Sequence, residues 1–262
     1  MQKDSIMTSN QLRAGLNAGK RMAGLWLSLD SPAVTEMAAD SGADWILIDM
    51  EHAPTALSGI PDHLRATRGA MAEPVVRVPV AEPVIVKRLL DLGVRCLMFP
   101  MIDSAEDAAR AVSYTRYPPQ GMRGLSLTTR ANGYGRQTDY LDRCTQDLFV
   151  IVQVETPEAV RAIPQIARVE GVDAIFVGPA DLSAAMGYPG RPNAPEVQTL
   201  IDEACTMAKA AGVPIGILGF GADLARSYFA RGVNFVAVAG DTWLLARQMD
   251  ALLAGVRAPV PD

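Results

Sequence analysis

The sequence predicts a (β/α)₈ barrel of the TIM type, folded as one domain over residues 1–262 with a core from about residue 12 to 255. Three observations predict it. The length of 262 residues matches the ~250 residues of such a barrel. A helix that ends in glycine and runs at once into a short apolar segment recurs along the chain. These segments are continuously apolar, as strands buried on both faces of a parallel sheet are.

The repeated unit gives five strands, because glycine just past a helix adopts the left-handed conformation that ends it. The five follow Gly42, Gly93, Gly171, Gly212 and Gly232. Three more apolar runs complete a set of eight: Leu25 to Leu29, Pro74 to Val78 and Phe149 to Val154. An eight-stranded doubly wound sheet is the alternative. No G-x-G-x-x-G motif follows the first strand, so the barrel is favoured over that dinucleotide-binding arrangement.

Helix starts are marked by capping residues. Ser31-Pro32 and Thr156-Pro157 each place a hydroxyl before a proline, and Ser104 with Asp107 forms a capping box.

In a (β/α)₈ barrel the catalytic residues lie at the carboxyl ends of the strands, where the βα loops meet. The polar residues at those ends are therefore the candidates for function.

Composition excludes several classes of function. The chain is 49% hydrophobic and 20% charged, which disfavours disorder, and its net charge of −5 disfavours nucleic acid as a partner. No apolar run approaches the ~20 residues of a membrane span, and the first residues do not resemble a secretory signal, so a cytoplasmic protein is expected. Three widely spaced cysteines, Cys96, Cys144 and Cys205, predict buried reduced thiols.

Carboxylates follow several of the predicted strands. The second strand ends in Asp49-Met50-Glu51-His52, the fifth in Gln153-Val154-Glu155, and the sixth runs into Gly178-Pro179-Ala180-Asp181. Because neighbouring strands lie roughly 4.8 Å apart, Glu155 and Asp181 can share one cation. Oxygen ligands without cysteine suit Mg²⁺ or Mn²⁺, and Co²⁺ is also compatible. The alternative is that each carboxylate merely caps the following helix.

Two basic side chains have distinct expectations. His52, in a loop after a strand, is expected to be a general base, although a loop histidine that caps a neighbouring carbonyl is the alternative. His63 is expected on a surface helix and receives no role. Arg77, inside an apolar strand, must meet either a core carboxylate or a substrate oxyanion, and the nearby cation site favours the oxyanion.

The strand-to-helix turn at Gly178 to Asp181 suits a substrate carboxylate, because its backbone N–H groups are free at a helix start. A 2-oxo acid could then chelate the cation while these amides hold its carboxylate. Schiff-base chemistry needs a lysine near a strand end. The chain has only Lys3, Lys20, Lys87 and Lys209, none of which is at such an end, so a metal-stabilised enolate is the remaining way to break a C–C bond beside a ketone.

Several stretches together resemble one known family. They are WILIDMEHAP (45–54), VVRVP (75–79), KRLLDLG (87–93), TRYPPQGMRG (115–124), VQVET (152–156) and GPADLSAAMGYPG (178–190). They resemble the HpcH/HpaI metal-dependent aldolases, best the branch that cleaves 4-hydroxy-2-oxo acids to pyruvate and an aldehyde. The resemblance covers the chain from about residue 12 to 255.

The resemblance implies roles for individual residues. His52 is the base acting on the 4-hydroxyl, Arg77 stabilises the enolate oxygen, and Asp91 orients His52. The metal ligands implied are Glu155 and Asp181, with Asp49 and Glu51 lying just outside them. Contacts to the pyruvyl part come from Gln153 and from the amides of Ala180 and Asp181.

The resemblance also implies the aldehyde side and the assembly. Trp26, Leu218 and, from a neighbouring subunit, Leu125 shape the aldehyde pocket. Phe220 is expected only to narrow it, and Met50 stands where some members carry glycine. The long insertion 117–147, too polar for core, is expected at a subunit interface of a homohexamer, a trimer of dimers with exchanged C-terminal helices.

The sequence therefore predicts a class II aldolase that produces pyruvate, or a related 2-oxo acid, and an aldehyde. Two alternatives stay open: a CoA-thioester lyase of the citramalyl or malyl type, and a barrel that binds a 2-oxo acid without catalysis. The scarcity of lysines for a nucleotide and the presence of a base argue against them. Succinic semialdehyde, lactaldehyde, glyceraldehyde and longer aldehydes all remain open.

Overall fold

The structure is a computed structural model that describes residues 10–257. Eight parallel strands close into a barrel in chain order, with β8 pairing with β1, so the predicted (β/α)₈ barrel is confirmed. The strands are β1 (Met22–Leu27), β2 (Trp45–Asp49), β3 (Glu73–Arg77), β4 (Cys96–Phe99), β5 (Phe149–Val154), β6 (Ala174–Val177), β7 (Ile215–Leu218) and β8 (Phe235–Gly240).

Helices connect the strands around the outside of the barrel. They are α1 (Gln11–Asn17), α2 (Pro32–Ala39), α3 (Ile60–Ala66), α4 (Pro83–Asp91), α5 (Ala105–Ser113), α6 (Tyr140–Asp147), α7 (Pro157–Arg161), α8 (Ile163–Ile166), α9 (Pro179–Ala185), α10 (Pro195–Ala211), α11 (Ala222–Ala230) and α12 (Asp241–Arg257). Lys87 and Lys209 lie inside α4 and α10 and Lys20 precedes β1, as predicted, whereas Lys3 lies outside the described residues.

The predicted element ends are largely confirmed. All five glycines that precede the repeated strands have φ between 70° and 97°, and Ser31, Ser104 and Thr156 each accept a hydrogen bond from the helix they begin. Strand β5 has the predicted bounds, while β3 lies one residue earlier than predicted. Strand β1 starts three residues early and stops at Leu27, because the next two amides donate to the Asp241 carboxylate and leave the ladder.

The core has two layers, one inside the barrel and one between the strands and the helices. Four aromatic rings fill the barrel interior, those of Trp26, Trp45, Phe176 and Phe235, with centroids 5.6 to 6.3 Å apart. Gly216 makes this packing feasible, since a Cβ there would stand 2.7 Å from the Phe176 ring. The interior is thus plugged by apolar side chains below the strand ends.

Two expectations about which polar residues lie outside the core are wrong. The insertion 117–147 was expected outside the core, yet its last eight residues form α6, and its Arg123 is buried on Asp91 and the Tyr140 hydroxyl. His63 was expected at the surface but is 1% exposed, because its ring faces Thr35 of α2 and Asp30.

The three cysteines are free and buried, as predicted. Burial raises the pKa of the Cys96 thiol well above its ordinary value. Across residues 10–257, the search for a helix with the length and apolar character of a membrane span finds none.

Candidate active site

Buried polar side chains stand at the carboxyl ends of three strands, the adjacent β2 and β3 and, beyond β4, strand β5. Asp49 ends β2, Arg77 ends β3, and Gln153 and Glu155 lie at the end of β5. All four are at most 5% exposed. Asp49 pairs in register with Arg77, so the two side chains leave adjacent strands at the same level. A compact polar layer therefore lies above the aromatic plug, at the end of the barrel where the sequence predicts chemistry.

Arg77 is the centre of this layer. Its Nε and Nη2 donate to the two carboxylate oxygens of Asp49 at 2.9 and 2.7 Å, and its Nη1 lies 2.7 Å from Oε2 of Glu51. The Trp26 ring lies 4.7 Å below the guanidinium, and its Nε1 donates to Asp49 at 3.2 Å. Of the two partners expected for Arg77, the described residues supply the core carboxylate.

The hydrogen bonds to Asp49 leave some N–H groups of the Arg77 guanidinium unused. Arginine carries five N–H groups, and two are used in these hydrogen bonds, so a further acceptor can still be met. Burial raises the pKa of Asp49, but the hydrogen bonds and charge of Arg77 outweigh burial and hold that pKa below its ordinary value. Burial also raises the pKa of Glu51, against the opposing effect of Arg77. The layer combines one fixed cation with two carboxylates of different basicity.

Glu155 is held in place by two donors. Gln153 Nε2 donates to its Oε1 at 3.0 Å, and the Met101 amide donates to its Oε2 at 2.9 Å. Burial, with the charges of Asp181 and Glu51, raises the pKa of Glu155 to about 7. Sequence reasoning missed Met101, because a backbone donor leaves no signal in the sequence.

Gly178 and Asp181 lie beside Glu155 at the start of α9. A Cβ on Gly178 would lie 2.9 Å from Cγ of Glu155, so glycine is needed for that carboxylate to sit here. Pro179 occupies the first turn, and Ala180 and Asp181 are exposed to solvent. Glu155 follows β5, and Asp181 lies in the first turn of α9 after the neighbouring β6, near enough for its charge to contribute to the raised pKa of Glu155.

His52 reaches the rim through the loop after β2. Its amide lies 3.5 Å from Oδ1 of Asp49, its side chain is 67% exposed, and Nε2 lies 3.9 Å from Oε1 of Glu51. An exposed imidazole beside carboxylates suits a base that meets substrate from the solvent side.

Asp91 lies elsewhere, contrary to its expected place beside His52. It ends α4, which returns to the amino end of the barrel before β4, and its Oδ1 accepts from Arg123 Nη2 at 2.9 Å. Leu125 is 57% exposed, and its neighbour Gly124 packs beside Lys87 on the outside of α4. Within one chain, neither Asp91 nor Leu125 joins the polar layer.

Of the residues expected on the aldehyde side, Trp26 and Leu218 meet inside the barrel, whereas Met50 packs in the layer between the strands and the helices. Leu218 packs against the interior cluster that contains Trp26. Met50 is buried, whereas Phe220 is half-buried, lies against Gly240 and packs its ring at a tilt against that of Trp243, with centroids 5.4 Å apart. An apolar side therefore adjoins the polar layer.

Few side chains of the site could serve as ligands to a metal ion. Within residues 10–257 no group of three or more histidine, cysteine, aspartate and glutamate side chains is arranged to hold a metal ion. The pKa of Glu155 is nevertheless raised by burial and, to a smaller extent, by neighbouring carboxylates, and Oε1 of Gln153 is buried without a hydrogen bond among these residues. Two carboxylates that repel each other beside a polar oxygen fit a hard divalent cation whose other ligands are water and substrate.

The comparison with protein families matches residues 22–247 to the HpcH/HpaI aldolase/citrate lyase family. The chain belongs to this family. Among relatives of this HpcH/HpaI chain, a 4-hydroxy-2-oxo-heptane-1,7-dioate aldolase of Shigella flexneri is 46% identical, over 94% of this chain and 92% of its own. A hydroxypyruvate/pyruvate aldolase of Agrobacterium fabrum is 44% identical over 97% of both chains.

The family assignment extends to solved structures. A crystal structure of an HpcH/HpaI aldolase/citrate lyase family protein from Burkholderia cenocepacia superimposes with a TM-score of 0.92 at 41% identity, covering 95% of this chain and all of that one. The family resemblance predicted from the motifs is thereby confirmed.

Proposed function

We propose that this chain reversibly cleaves a 4-hydroxy-2-oxo acid into an aldehyde and pyruvate, or a related 2-oxo acid such as hydroxypyruvate. The activity is that of a carbon–carbon lyase of the aldolase type. The observation that carries the proposal is the buried Arg77 guanidinium at the strand ends, held by Asp49 with further N–H groups to donate. Both relatives compared above are named as aldolases, which supports the same reaction class.

Arg77 acts where negative charge develops. When the C3–C4 bond of the substrate breaks, its electron pair moves into a C2=C3 double bond, and the oxygen on C2 becomes negative. A guanidinium already fixed by Asp49 and Glu51 can donate to that oxygen without reorganising. Protonation of C3 then gives the methyl group of pyruvate.

His52 removes the proton of the 4-hydroxyl group, so that a C4=O bond forms as C3–C4 breaks. Its imidazole is 67% exposed at the rim, so it can both take and return a proton on the solvent side of the site. In the synthetic direction the same base takes a proton from the methyl group of pyruvate. Asp49 and Glu51 hold Arg77, and Asp49 also holds the loop that carries His52.

Glu155 and Asp181 would hold a divalent metal, Mg²⁺ or Mn²⁺ with Co²⁺ as a third candidate. When bound, the metal supplies a Lewis acid that draws electron density from the 2-oxo group. Gln153 and the amides of Ala180 and Asp181 would then hold the carboxylate end of the substrate. Gly178 and Pro179 shape the turn that presents those amides.

The aldehyde would lie against Trp26 and Leu218, with Phe220 limiting its size. Asp91 and Leu125 could contribute to the site only from a second copy of the chain. Helix α12 supports assembly into a homo-oligomer, which we propose is a hexamer with exchanged C-terminal helices. This helix exposes a row of apolar side chains, Leu245, Met249, Leu252, Leu253 and Val256.

The test follows exchange of the pyruvate methyl protons with D₂O by NMR, first with chelator and then with Mg²⁺, Mn²⁺ or Co²⁺ added back. We expect exchange only with a divalent ion, reduced about 100-fold or more in His52→Ala and in Glu155→Gln. Glu158→Gln is the matched control, since Glu158 is exposed three residues further on, and its exchange should equal that of the wild type. An aldehyde panel then identifies the acceptor.

Each other outcome has a defined meaning. Exchange that continues unchanged after complete metal removal contradicts the metal-dependent reaction. Absence of exchange with every divalent ion favours a barrel that binds a 2-oxo acid without catalysis. Cleavage of a citramalyl or malyl CoA thioester in place of free 4-hydroxy-2-oxo acids favours the thioester lyase.

A further inference from the structure

A group of three polar side chains, of which the histidine and the threonine are buried and the aspartate is partly exposed, takes no part in the proposed chemistry. His63, on α3, is 1% exposed. Its Nδ1 lies 2.7 Å from Oγ1 of Thr35 and its Nε2 lies 3.0 Å from Oδ1 of Asp30. A carboxylate only accepts hydrogen bonds, so Nε2 carries the hydrogen and donates to Asp30.

The grouping of threonine, histidine and aspartate is not a nucleophilic triad. Thr35 is fully buried, and its hydroxyl also lies 3.2 Å from the carbonyl oxygen of Ser31, to which it can donate. No substrate can reach a hydroxyl in that position. The three side chains instead connect three elements, namely α2, α3 and the loop after β1.

Asp30 joins this group to the loop of residues 50–59, which runs from β2 to α3 and carries Glu51 and His52. Gly59, the last residue of that loop, lies so close to Asp30 that a Cβ on it would stand 3.2 Å from Oδ1. The same oxygen accepts from His63. Asp30 adopts a φ of 51°, which a non-glycine residue rarely takes without local constraint.

Both ends of the 50–59 loop are therefore anchored. Its start is held by Asp49, whose Oδ1 accepts from the Glu51 amide at 2.9 Å. Its end, at Gly59, lies against the Asp30 carboxylate that accepts from His63, and the His63 amide donates to the Gly59 carbonyl at 3.3 Å. The loop after β1 is itself fixed from the other side, because the Asp241 carboxylate accepts from the amides of Ser28 and Leu29.

Because the His52 side chain is exposed, the position of its imidazole depends on how the 50–59 loop is held. Its side chain is 67% exposed, and its nearest charged partner, Oε1 of Glu51, is 3.9 Å from Nε2. The position of the imidazole therefore follows from the backbone of the loop. A displacement of about 1 Å at a base can reduce a rate by about 100-fold.

We propose that His63 is a positioning residue: through its hydrogen bond to Asp30 it fixes the 50–59 loop and so places His52 over the substrate. The proposal rests on the proposed function of His52 as a base. It assigns His63 no contact with the substrate.

The test compares His63→Leu, His63→Gln and Asp30→Ala with the wild type. Amide hydrogen exchange, read by mass spectrometry, measures opening of the 50–59 loop without reference to activity. We expect His63→Leu and Asp30→Ala to speed exchange in residues 50–59 at least tenfold while β5 and β6 stay unchanged. His63→Gln, whose side-chain amide can still donate to Asp30, should restore most of the protection.

Kinetics provides the second measurement. In the pyruvate exchange assay we expect kcat to fall about tenfold in His63→Leu at an unchanged KM, because the groups proposed to hold pyruvate lie on β5 and α9. Thr115→Val is the matched control, since Thr115 is equally buried and hydrogen-bonded to the Val112 carbonyl away from this loop. It should leave both measurements unchanged.

Two results would overturn the proposal. One is unchanged exchange of residues 50–59 in folded His63→Leu and Asp30→Ala, and the other is a loosened loop with unchanged kcat. If His63→Leu does not fold, Asp30→Ala decides, because Asp30 is at the partly exposed rim. The amide-exchange measurement stands even if the wild type shows no turnover, so failure of the proposed function is seen separately.

Discussion

Gly178 lies against the side chain of Glu155 so closely that a methyl group on its Cα would stand 2.9 Å from Cγ and 3.1 Å from Cδ. The two residues come from the ends of neighbouring strands, β6 and β5, and the Gly178 amide donates to the carbonyl of Val154. The position of the Glu155 carboxylate is thus determined from one side by the absence of a side chain. Gln153 and the Met101 amide determine it from the other.

We therefore expect Gly178→Ala to displace the Glu155 carboxylate and to lower the rate of pyruvate exchange by about 100-fold. The fold should be kept, since the clash is with the end of one side chain. Gly255→Ala is the control, because a Cβ there meets nothing within 4 Å. Rates and far-UV circular dichroism check both variants, and a wild-type rate in Gly178→Ala would show that the placement of Glu155 is not needed.

Asp49→Asn tests the buried ion pair at the centre of the site. Asparagine keeps the shape but removes the charge that faces Arg77, and disrupting such a pair typically costs about 3 to 5 kcal/mol. Because Glu51 remains as a partner, we expect a loss of about 1 to 3 kcal/mol in the free energy of unfolding at pH 7. Urea denaturation measures it, with Asp250→Asn at an exposed position of α12 as the control.

The same variant predicts a pH dependence. The pKa of Asp49 lies below its ordinary 3.8 in the folded chain, so its contribution to stability is present above that value and is lost as pH falls through the folded pKa. The stability difference between wild type and Asp49→Asn should therefore be constant from pH 7 to 5 and shrink below about pH 4. A difference that grows at low pH would contradict this assignment.

The fold was predictable because its signals are local. Each glycine past a helix and each apolar run lies within a few residues of the element it defines, and β5 was predicted to the residue. The end of β1 was not, since the amides that leave the ladder bind Asp241, 213 and 212 residues further along the chain.

The sequence predicts the site for residues that directly follow strands. It does not predict side-chain contacts made with residues far along the chain. Glu155 and Asp181 were placed together by the order of the strands alone. From the sequence, Arg77 could meet either a core carboxylate or a substrate oxyanion. Only the register of β2 and β3 shows that Asp49 lies opposite it. His63 could not be recognised as buried, because Asp30 and Thr35 lie 33 and 28 residues before it.

Exposed apolar side chains on α12 predict that assembly depends on this helix. Leu245, Met249, Leu252 and Val256 recur at helical spacing and are 43% to 86% exposed, while only Asp241 of the helix is buried. A face of this kind normally packs against another surface. We expect Met249→Glu with Leu252→Glu to reduce the mass measured by light scattering to that of one chain. Gln248→Glu adds one negative charge beside this face without removing an apolar side chain, and it should leave the mass unchanged.

Glu155 predicts how stability and metal binding change with pH. Its pKa is raised from an ordinary 4.5 to about 7, so the folded chain holds a proton that the unfolded chain has lost between these values. The metal-free protein should therefore lose stability as pH rises from 5 to 8, with a fall of several degrees in Tm that Glu155→Gln removes. A divalent ion bound by the ionised carboxylate offsets that loss, so Mg²⁺ should raise Tm more at pH 8 than at pH 5. Calorimetric scans with chelator and with Mg²⁺ measure both effects, and a wild-type Tm independent of pH would contradict a protonated, buried Glu155.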